Sequence, residues 1–184
     1  VDRLPLQDAH IKLLEPAMKE SEIAWALYVL LRDTGARVAE IAGLRVQDCD
    51  TAKRCLTITP TPWRRLKNKT SERSVPLSQE AATLLKDLTK GKAAEEPVFE
   101  RYAKDRGMDN CSQMLMKRLR TVITEKKLTM HSLRHRMKDK LRNTGCPEAI
   151  SMAILGHGSN TVAANYGSGY ALDVTREHME KVWI

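Results

Sequence analysis

Apolar residues recur along this chain with the spacing of amphipathic helices, and glycine or proline separates the successive apolar segments. Serine or proline before such a segment and glycine after it are typical of helix starts and ends. The clearest segment covers residues 23–32 and stops before Gly35. The pattern predicts seven helices, at residues 23–32, 37–43, 78–88, 114–124, 131–143, 147–156 and 170–183.

Two short runs have the character of β-strands. Residues 54–59 and 73–77 are rich in β-forming side chains and enclose a polar, basic segment at 60–72. They predict a hairpin with a long tip, and Pro76 favours an edge strand or a strand end. We therefore expect an α+β fold that is mainly helical, with a small antiparallel sheet. A length of 184 residues suits one domain spanning 1–184.

The net charge of the chain indicates which kind of molecule it binds. Lysine and arginine number 31 against 23 aspartate and glutamate, which gives a formal net charge of +8. A basic surface of this size favours a polyanion such as nucleic acid.

The cysteines and the apolar runs argue against a disulfide-bonded, zinc-binding or membrane-spanning protein. The four cysteines show neither a C-x-x-C pair nor a zinc-like spacing with histidine, which predicts reduced thiols in a cytoplasmic protein. The longest apolar run, residues 23–31, is too short for a bilayer, which needs about 20 residues. We expect no membrane association, and the absence of a carboxylate cluster predicts no metal and no cofactor.

Four stretches carry residues suited to phosphate chemistry. One contains Arg37, a second contains His131 and Arg134, a third contains His157, and the last contains Tyr166. Arginine binds phosphate through two parallel hydrogen bonds, histidine moves protons near neutral pH, and tyrosine can attack phosphorus and hold it covalently. Together they predict metal-free cutting and rejoining of a nucleic-acid backbone.

In order and spacing these stretches resemble the catalytic domain of tyrosine recombinases of the phage-integrase type. The family pattern has a T-G-x-R-x-x-E-L-like box, a lysine on a β-hairpin, an H-x-L-R-H box, an L-G-H box and then a tyrosine. Here these correspond to residues 34–41, the hairpin at 60–72, residues 131–135, residues 155–157 and Tyr166, which follows His157 by nine positions. The resemblance covers residues 34–166 and implies the recombinase catalytic fold.

The resemblance also implies a role for each residue. Arg37, Arg134 and His157 would bind the scissile phosphate, and His131 would handle the proton of the tyrosine. Tyr166 would form a 3′-phosphotyrosyl bond while Lys67 protonates the leaving 5′-oxygen.

Other residues enter as supports or alternatives. Glu40 would support the local structure around Arg37, and His135 would support His131. Lys69 is the alternative to Lys67, and Tyr170 is the alternative to Tyr166. The hairpin lysines could also belong to a generic phosphate-contacting loop that includes Arg64, Arg65 and Arg73. Zinc binding by the two histidines of the H-x-x-x-H spacing is rejected, because Ser132 stands where a zinc protease has glutamate.

The resulting prediction is a site-specific DNA recombinase or integrase of prokaryotic or phage origin that works through a Holliday junction. Its expected partners are double-stranded DNA, three further copies in a tetramer on DNA, and accessory DNA-bending proteins. Without DNA we expect a monomer or weak oligomer, and in the cell a nucleoid-associated location. The alternatives are a type IB topoisomerase and a non-catalytic DNA-binding module.

Two expectations concern the ends of the chain. The DNA-clamping domain that precedes the catalytic domain in this family is expected to be absent from this chain. The apolar residues of the last predicted helix are open to two interpretations: they pack on a neighbouring protomer or on the chain's own core. These residues are Leu172, Val174, Met179 and Val182.

Overall fold

The computed structural model describes residues 2–158 and 169–183, and these form a mainly helical fold with one small sheet. Within these ranges the helices are α1 (Asp8–Lys19), α2 (Glu22–Thr34), α3 (Val38–Ala42), α4 (Gln79–Thr89), α5 (Gly107–Arg120), α6 (Ser132–Asn143), α7 (Glu148–Leu155) and α8 (Leu172–Val182). The strands are β1 (Cys49–Asp50), β2 (Cys55–Ile58) and β3 (Arg73–Pro76). The predicted fold class is therefore confirmed. No helix in the described ranges is long and apolar enough to cross a membrane.

Most predicted helix boundaries follow from local capping. The Ser21 and Ser78 hydroxyls accept hydrogen bonds from the third backbone N–H of α2 and α4, which satisfies a donor that the helix itself cannot. Helices α2 and α7 end at Gly35 and Gly156, both with left-handed backbone geometry that glycine adopts at no steric cost. These caps set the ends of the two helices that precede Arg37 and His157.

Two helices differ from the prediction. Helix α1 was not predicted. Pro16 lies inside it, where proline normally interrupts a helix, and the burial of Leu14 and Met18 against the core holds it. Helix α5 begins at Gly107 rather than at residue 114. Its first two turns are mostly polar, so apolar periodicity does not reveal them.

The sheet has the order β1-β2-β3 and is antiparallel throughout. In the predicted hairpin, Leu56 pairs with Val75 and Ile58 with Arg73. Pro76 is the last residue of the edge strand β3, as expected, because proline lacks the N–H that an inner strand would need. The hairpin directs the segment between β2 and β3 toward the start of α3.

Helix α2 is the centre of the core. Leu27, Leu30 and Leu31 are fully buried, and α2 packs against α1, α3, α4 and α6. Helix α8 packs on β3 and α6 and covers the part of the core that they form. In this structure Met179 and Val182 are buried in the chain's own core.

Candidate active site

Arg37 is the residue that precedes the first turn of α3. Its backbone N–H donates to Glu40 Oε1 (2.8 Å), and its Nη1 lies 3.4 Å from Glu40 Oε2. A carboxylate at the third helix position that reaches back in this way forms half of a capping box. The T-G-x-R-x-x-E spacing therefore fixes both the helix start and the direction of the arginine, whose side chain is 19% exposed.

Glu40 is buried and shared by two arginines. Besides Arg37 it accepts hydrogen bonds from Arg73 Nη1 (2.9 Å) and Arg73 Nη2 (3.0 Å). Burial acts to raise the pKa of Glu40, but the hydrogen bonds and charge of Arg73, with a further contribution from Arg37, lower it below its ordinary value. Glu40 is therefore an anion at neutral pH.

Arg134 lies in the first turn of α6, and its guanidinium reaches the loop before Arg37. Its Nη1 donates to the Gly35 carbonyl at 3.1 Å, whereas its buried Nη2 has no hydrogen-bond partner in residues 2–158 and 169–183. Burial first, and then the charge of Arg37, lower the pKa of Arg134 to about 9. Arg134 therefore contacts the loop that leads into Arg37, and the positive charge of Arg37 opposes that of Arg134.

His131 and His135 lie one helical turn apart at the start of α6. Their rings meet edge to face with centroids 5.3 Å apart. Burial, followed by the charge of Arg134, lowers the pKa of His131 to about 4, and burial also lowers the pKa of His135. His131 is therefore a neutral imidazole at pH 7, able to accept a proton.

His157 follows the glycine that ends α7, and its backbone N–H donates to the Met152 carbonyl at 3.0 Å. Burial, then the charges of Arg134, Lys138 and Arg37, lower the pKa of His157 to about 4. The positive charges of both motif arginines therefore act on this histidine. Four of the six expected catalytic residues, from motifs far apart in sequence, lie in one electropositive region: Arg37, His131, Arg134 and His157.

The tip of the hairpin approaches the same region. Residues Lys69–Ser71 form a 3-10 turn, in which buried Ser71 Oγ lies 3.5 Å from Arg37 Nη1. A side chain at Gly158 would contact Thr70 Oγ1 at 3.2 Å, so the tip also faces the turn after α7. Lys67 and Lys69 are both exposed on this tip. The geometry does not choose between them.

The alternative of a generic phosphate-contacting loop does not hold for Arg64 and Arg73, because both side chains are buried. Arg64 is 4% exposed and donates to the backbone carbonyls of Ala39, Glu40 and Thr59. The Arg73 side chain is 7% exposed and pairs with Glu40. Arg73 donates from all three guanidinium nitrogens and Arg64 from its two terminal ones to acceptors inside the protein. Only Arg65 of these three remains exposed.

Of the two candidate tyrosines, one lies within the described residues. Tyr166 lies outside the described residues. Tyr170 is described and is 46% exposed. The choice between them as nucleophile therefore remains a prediction.

Sequence reasoning missed the part that Arg73 and Ser71 play beside Arg37. A signal was available for Arg73. It alternates with Val75 and Leu77 along a strand whose other apolar residues are buried, which places it on the inward face. An inward-facing arginine needs a buried acid, and Glu40 in the T-G-x-R-x-x-E box supplies one.

Solved structures of integrases and recombinases share this fold. The integrase from mycobacterium phage Brujita superposes with a TM-score of 0.72 at 20% identity, covering 99% of this chain and 58% of that one. The Tn1549 transposon integrase in complex with a circular intermediate DNA gives 0.67 at 20% identity, covering 99% and 66%. The XerA recombinase gives 0.65 at 20% identity, covering 97% and 59%.

Relatives in sequence are of the same kind. The tyrosine recombinase XerA of Pyrococcus furiosus is 24% identical over 173 residues, which are 92% of this chain and 57% of that protein. The tyrosine recombinase XerD of Corynebacterium glutamicum is 27% identical over 188 residues, covering 94% and 58%. The chain thus spans less than two thirds of the length of these relatives.

The sequence model of the phage integrase family matches residues 6–170. The fold is that of a tyrosine recombinase catalytic domain, and within the described residues the stretches that contain Arg37, Arg134 and His157 lie close together. This chain belongs to the phage integrase family of tyrosine recombinases.

Proposed function

We propose that this chain is the catalytic part of a site-specific DNA recombinase or integrase acting on double-stranded DNA. One observation carries the proposal: the buried Nη2 of Arg134 has no partner among the described residues, while Nη1 of the same guanidinium bonds the Gly35 carbonyl two residues before Arg37. A buried donor without a partner is costly, and a phosphate oxygen would satisfy it. The relatives support this choice of ligand, since structures of the Tn1549 integrase contain DNA and XerH is bound to its difH substrate.

In the proposed reaction the Tyr166 oxygen attacks the scissile phosphorus. A tyrosine O–P bond forms, the bond from phosphorus to the 5′-oxygen breaks, and the DNA remains attached as a 3′-phosphotyrosyl ester. His131 accepts the tyrosine proton, since its imidazole is neutral at pH 7 and has a free lone pair. Lys67, or Lys69 in its place, gives a proton to the departing 5′-oxygen.

Charge develops on the non-bridging oxygens as phosphorus becomes five-coordinate. Arg37, Arg134 and His157 bind these oxygens in the proposal, and preorganised donors of this kind stabilise a transition state without further rearrangement. Two guanidinium groups thereby perform the charge neutralisation that a metal ion provides in other phosphoryl-transfer enzymes. Glu40 holds Arg37, and His135 packs against His131.

Attack by the 5′-hydroxyl of another strand reverses the chemistry and rejoins the backbone. Two such exchanges through a Holliday junction recombine two duplexes. We propose a tetramer on DNA, with accessory DNA-bending proteins, and a monomer or weak oligomer without DNA. Sedimentation of the protein with and without duplex sites tests this, and a monomer in the complete synaptic mixture would exclude the tetramer.

A covalent trapping assay tests the chemistry. The protein is incubated with labelled duplexes that carry a 5′-bridging phosphorothiolate, selected from a randomised library by binding, and is analysed on a denaturing gel. The thiolate leaves without a proton and cannot easily re-attack, so the adduct accumulates. Tyr166→Phe should abolish the adduct and Tyr170→Phe should retain it.

The other outcomes separate the alternatives. Loss of the adduct only in Tyr170→Phe would transfer the nucleophile to Tyr170. Binding in a native gel without any adduct from the unaltered chain would favour a non-catalytic DNA-binding module. An adduct together with relaxation of supercoiled plasmid, but no strand exchange, would favour a type IB topoisomerase.

A further inference from the structure

Arg73, at the start of β3, donates hydrogen bonds to several parts of the candidate site. Its Nε donates to the Ile154 carbonyl (2.8 Å), and its Nη1 donates to the Ser71 carbonyl (2.6 Å) and to Glu40 Oε2 (2.9 Å). Its Nη2 donates to Glu40 Oε1 (3.0 Å). All three guanidinium nitrogens therefore have acceptors within the protein, and with the side chain 7% exposed no open face remains for DNA.

Each of these acceptors leads to a different part of the candidate site. Glu40 holds the backbone N–H and the guanidinium of Arg37. Ile154 lies in the last turn of α7, three residues before His157. Ser71 belongs to the hairpin tip and approaches Arg37 through its hydroxyl. One side chain thus joins three segments that are remote in sequence.

The contact with α7 leaves little freedom. Gly156 has a φ of +67°, and a Cβ built there would lie 2.5 Å from Arg73 Nη1 and 2.8 Å from Cζ. The guanidinium therefore packs directly on the backbone of the residue that precedes His157. A shift of Arg73 would release the end of α7 and Glu40 at the same time.

We infer that Arg73 is a positioning residue that does not contact DNA. It fixes the position of Arg37 through Glu40 and the position of His157 through the end of α7. The inference rests on the proposed function and extends it. The planar fork of the guanidinium is essential to this role, because it serves a carboxylate and a carbonyl in fixed directions. A lysine would keep the charge but present a single ammonium that cannot reproduce these directions.

The test uses Arg73→Lys in single-turnover cleavage at the site found by trapping. One duplex carries the natural scissile phosphate, and another carries a methylphosphonate, in which a methyl group replaces one non-bridging oxygen and removes its charge. We expect Arg73→Lys to slow cleavage of the phosphate by about 100-fold, since small displacements of phosphate-binding groups cost that much. The deficit should shrink to about tenfold or less on the methylphosphonate, where less charge needs to be neutralised.

Arg45→Lys is the matched control. Arg45 pairs with buried Asp48 at the same i,i+3 spacing as Arg37 and Glu40, through contacts of 2.8–3.2 Å. Its other side-chain partner is Thr59, so it contacts no candidate site residue. We expect Arg45→Lys to cleave both duplexes within about twofold of the unaltered protein, because a conservative change at a residue that bonds neither Glu40 nor the end of α7 leaves the transition state intact.

Each remaining outcome is decisive. Cleavage by Arg73→Lys at the unaltered rate, or an equal deficit on both duplexes, would overturn the inference and leave Arg73 a merely structural group. Should Arg73→Lys fold poorly, the double variant Arg73→Gln/Glu40→Gln removes both buried charges, and the same two deficits are expected of it. If the unaltered chain forms no adduct, the proposed function fails, which is a different result from failure of the variant alone.

Discussion

Arg134 is a buried cation, and one of its donors has no acceptor among residues 2–158 and 169–183. Its Nη2 has no partner in the described part of the chain, and burial together with Arg37 and Arg73 opposes its charge. In the absence of a ligand, such a group weakens the folded state rather than stabilising it. Its presence at this position is understandable if a bound anion provides the missing acceptor.

We therefore expect Arg134→Met to abolish cleavage without lowering the free energy of unfolding. Loss of a donor aimed at developing charge should slow cleavage by at least about 100-fold, whereas removal of an unsatisfied buried group offsets the lost bond to Gly35. Urea unfolding and the trapping assay measure the two effects.

Arg136→Met is the control on the same helix, because Arg136 donates to the Leu6 carbonyl and to Asp8. That variant should lose about 1 kcal/mol of stability, as satisfied donors do. A fall in stability for Arg134→Met as large as that of the control, or larger, would show that Arg134 is structurally satisfied.

The two site histidines make stability depend on pH. The pKa values of His131 and His157 are both about 4 in the folded protein, below the unfolded value of about 6.5. The unfolded chain therefore binds more protons between these values, so stability is complete above pH 6.5 and falls as the pH drops toward 4.

We expect the midpoint of urea unfolding to decrease from pH 7 to pH 4.5, and the decrease to be smaller in His131→Gln and in His157→Gln. His10→Gln, in helix α1 and outside the candidate site, should retain the full decrease. Identical pH profiles for all four proteins would show that the site histidines titrate normally.

At the scale of elements, the end of α7 shows how a helix terminus can be tied to a distant strand. Gly145 and Gly156 both have positive φ, +83° and +67°, but nothing lies within 4 Å of a Cβ at Gly145. At Gly156 the Arg73 guanidinium occupies that space. A side chain at Gly145 would therefore introduce backbone strain alone, whereas a side chain at Gly156 would introduce strain and also displace Arg73.

Gly145→Ala should cost about 1–2 kcal/mol of stability, the strain of left-handed geometry alone. Gly156→Ala should cost more and should also slow cleavage, because Arg73 must move. Thermal unfolding and trapping kinetics provide the comparison. If both variants lose the same stability and cleave at the unaltered rate, the contact between Arg73 and α7 does not contribute to cleavage.

The elements also show what can be predicted from sequence. The T-G-x-R-x-x-E box predicted the start of α3, because a capping carboxylate and a helix-ending glycine act within a few residues. Helix α1 was missed, since its stability depends on the burial of Leu14 and Met18 rather than on local signals around Pro16. The alternative of phosphate contact by Arg64 and Arg73 could not be excluded from sequence, because their acceptors come from α3 and α7, which no local pattern relates to the hairpin.

At the scale of the whole molecule, α8 completes the core in this structure. Met179 is fully buried, and Trp183 Nε1 donates to the Asp33 carbonyl at 2.8 Å. Arg176 adds hydrogen bonds to the carbonyls of Lys53 and Arg54. The last helix is thus bound to both the sheet side and the central helix of its own chain.

Met179→Ala should therefore lower the free energy of unfolding by about 2–5 kcal/mol, as for other buried methionines. Glu177→Ala, at an exposed position of the same helix, should be nearly neutral. Unfolding midpoints should not change over about a hundredfold range of protein concentration, because packing within one chain is independent of concentration. A midpoint that rises with concentration would place the last helix on a neighbouring protomer.

The balance of charge around Glu40 has one further consequence. A single carboxylate lies beside Arg37 and Arg73, while Arg134 next to them has no acidic partner in its hydrogen bonds among the described residues. The ligand-free protein is therefore short of negative charge at its centre, and the scissile phosphate would act as the missing counterion. DNA would then be part of what holds this region together, and the enzyme would be most stable at the moment it is engaged with its substrate.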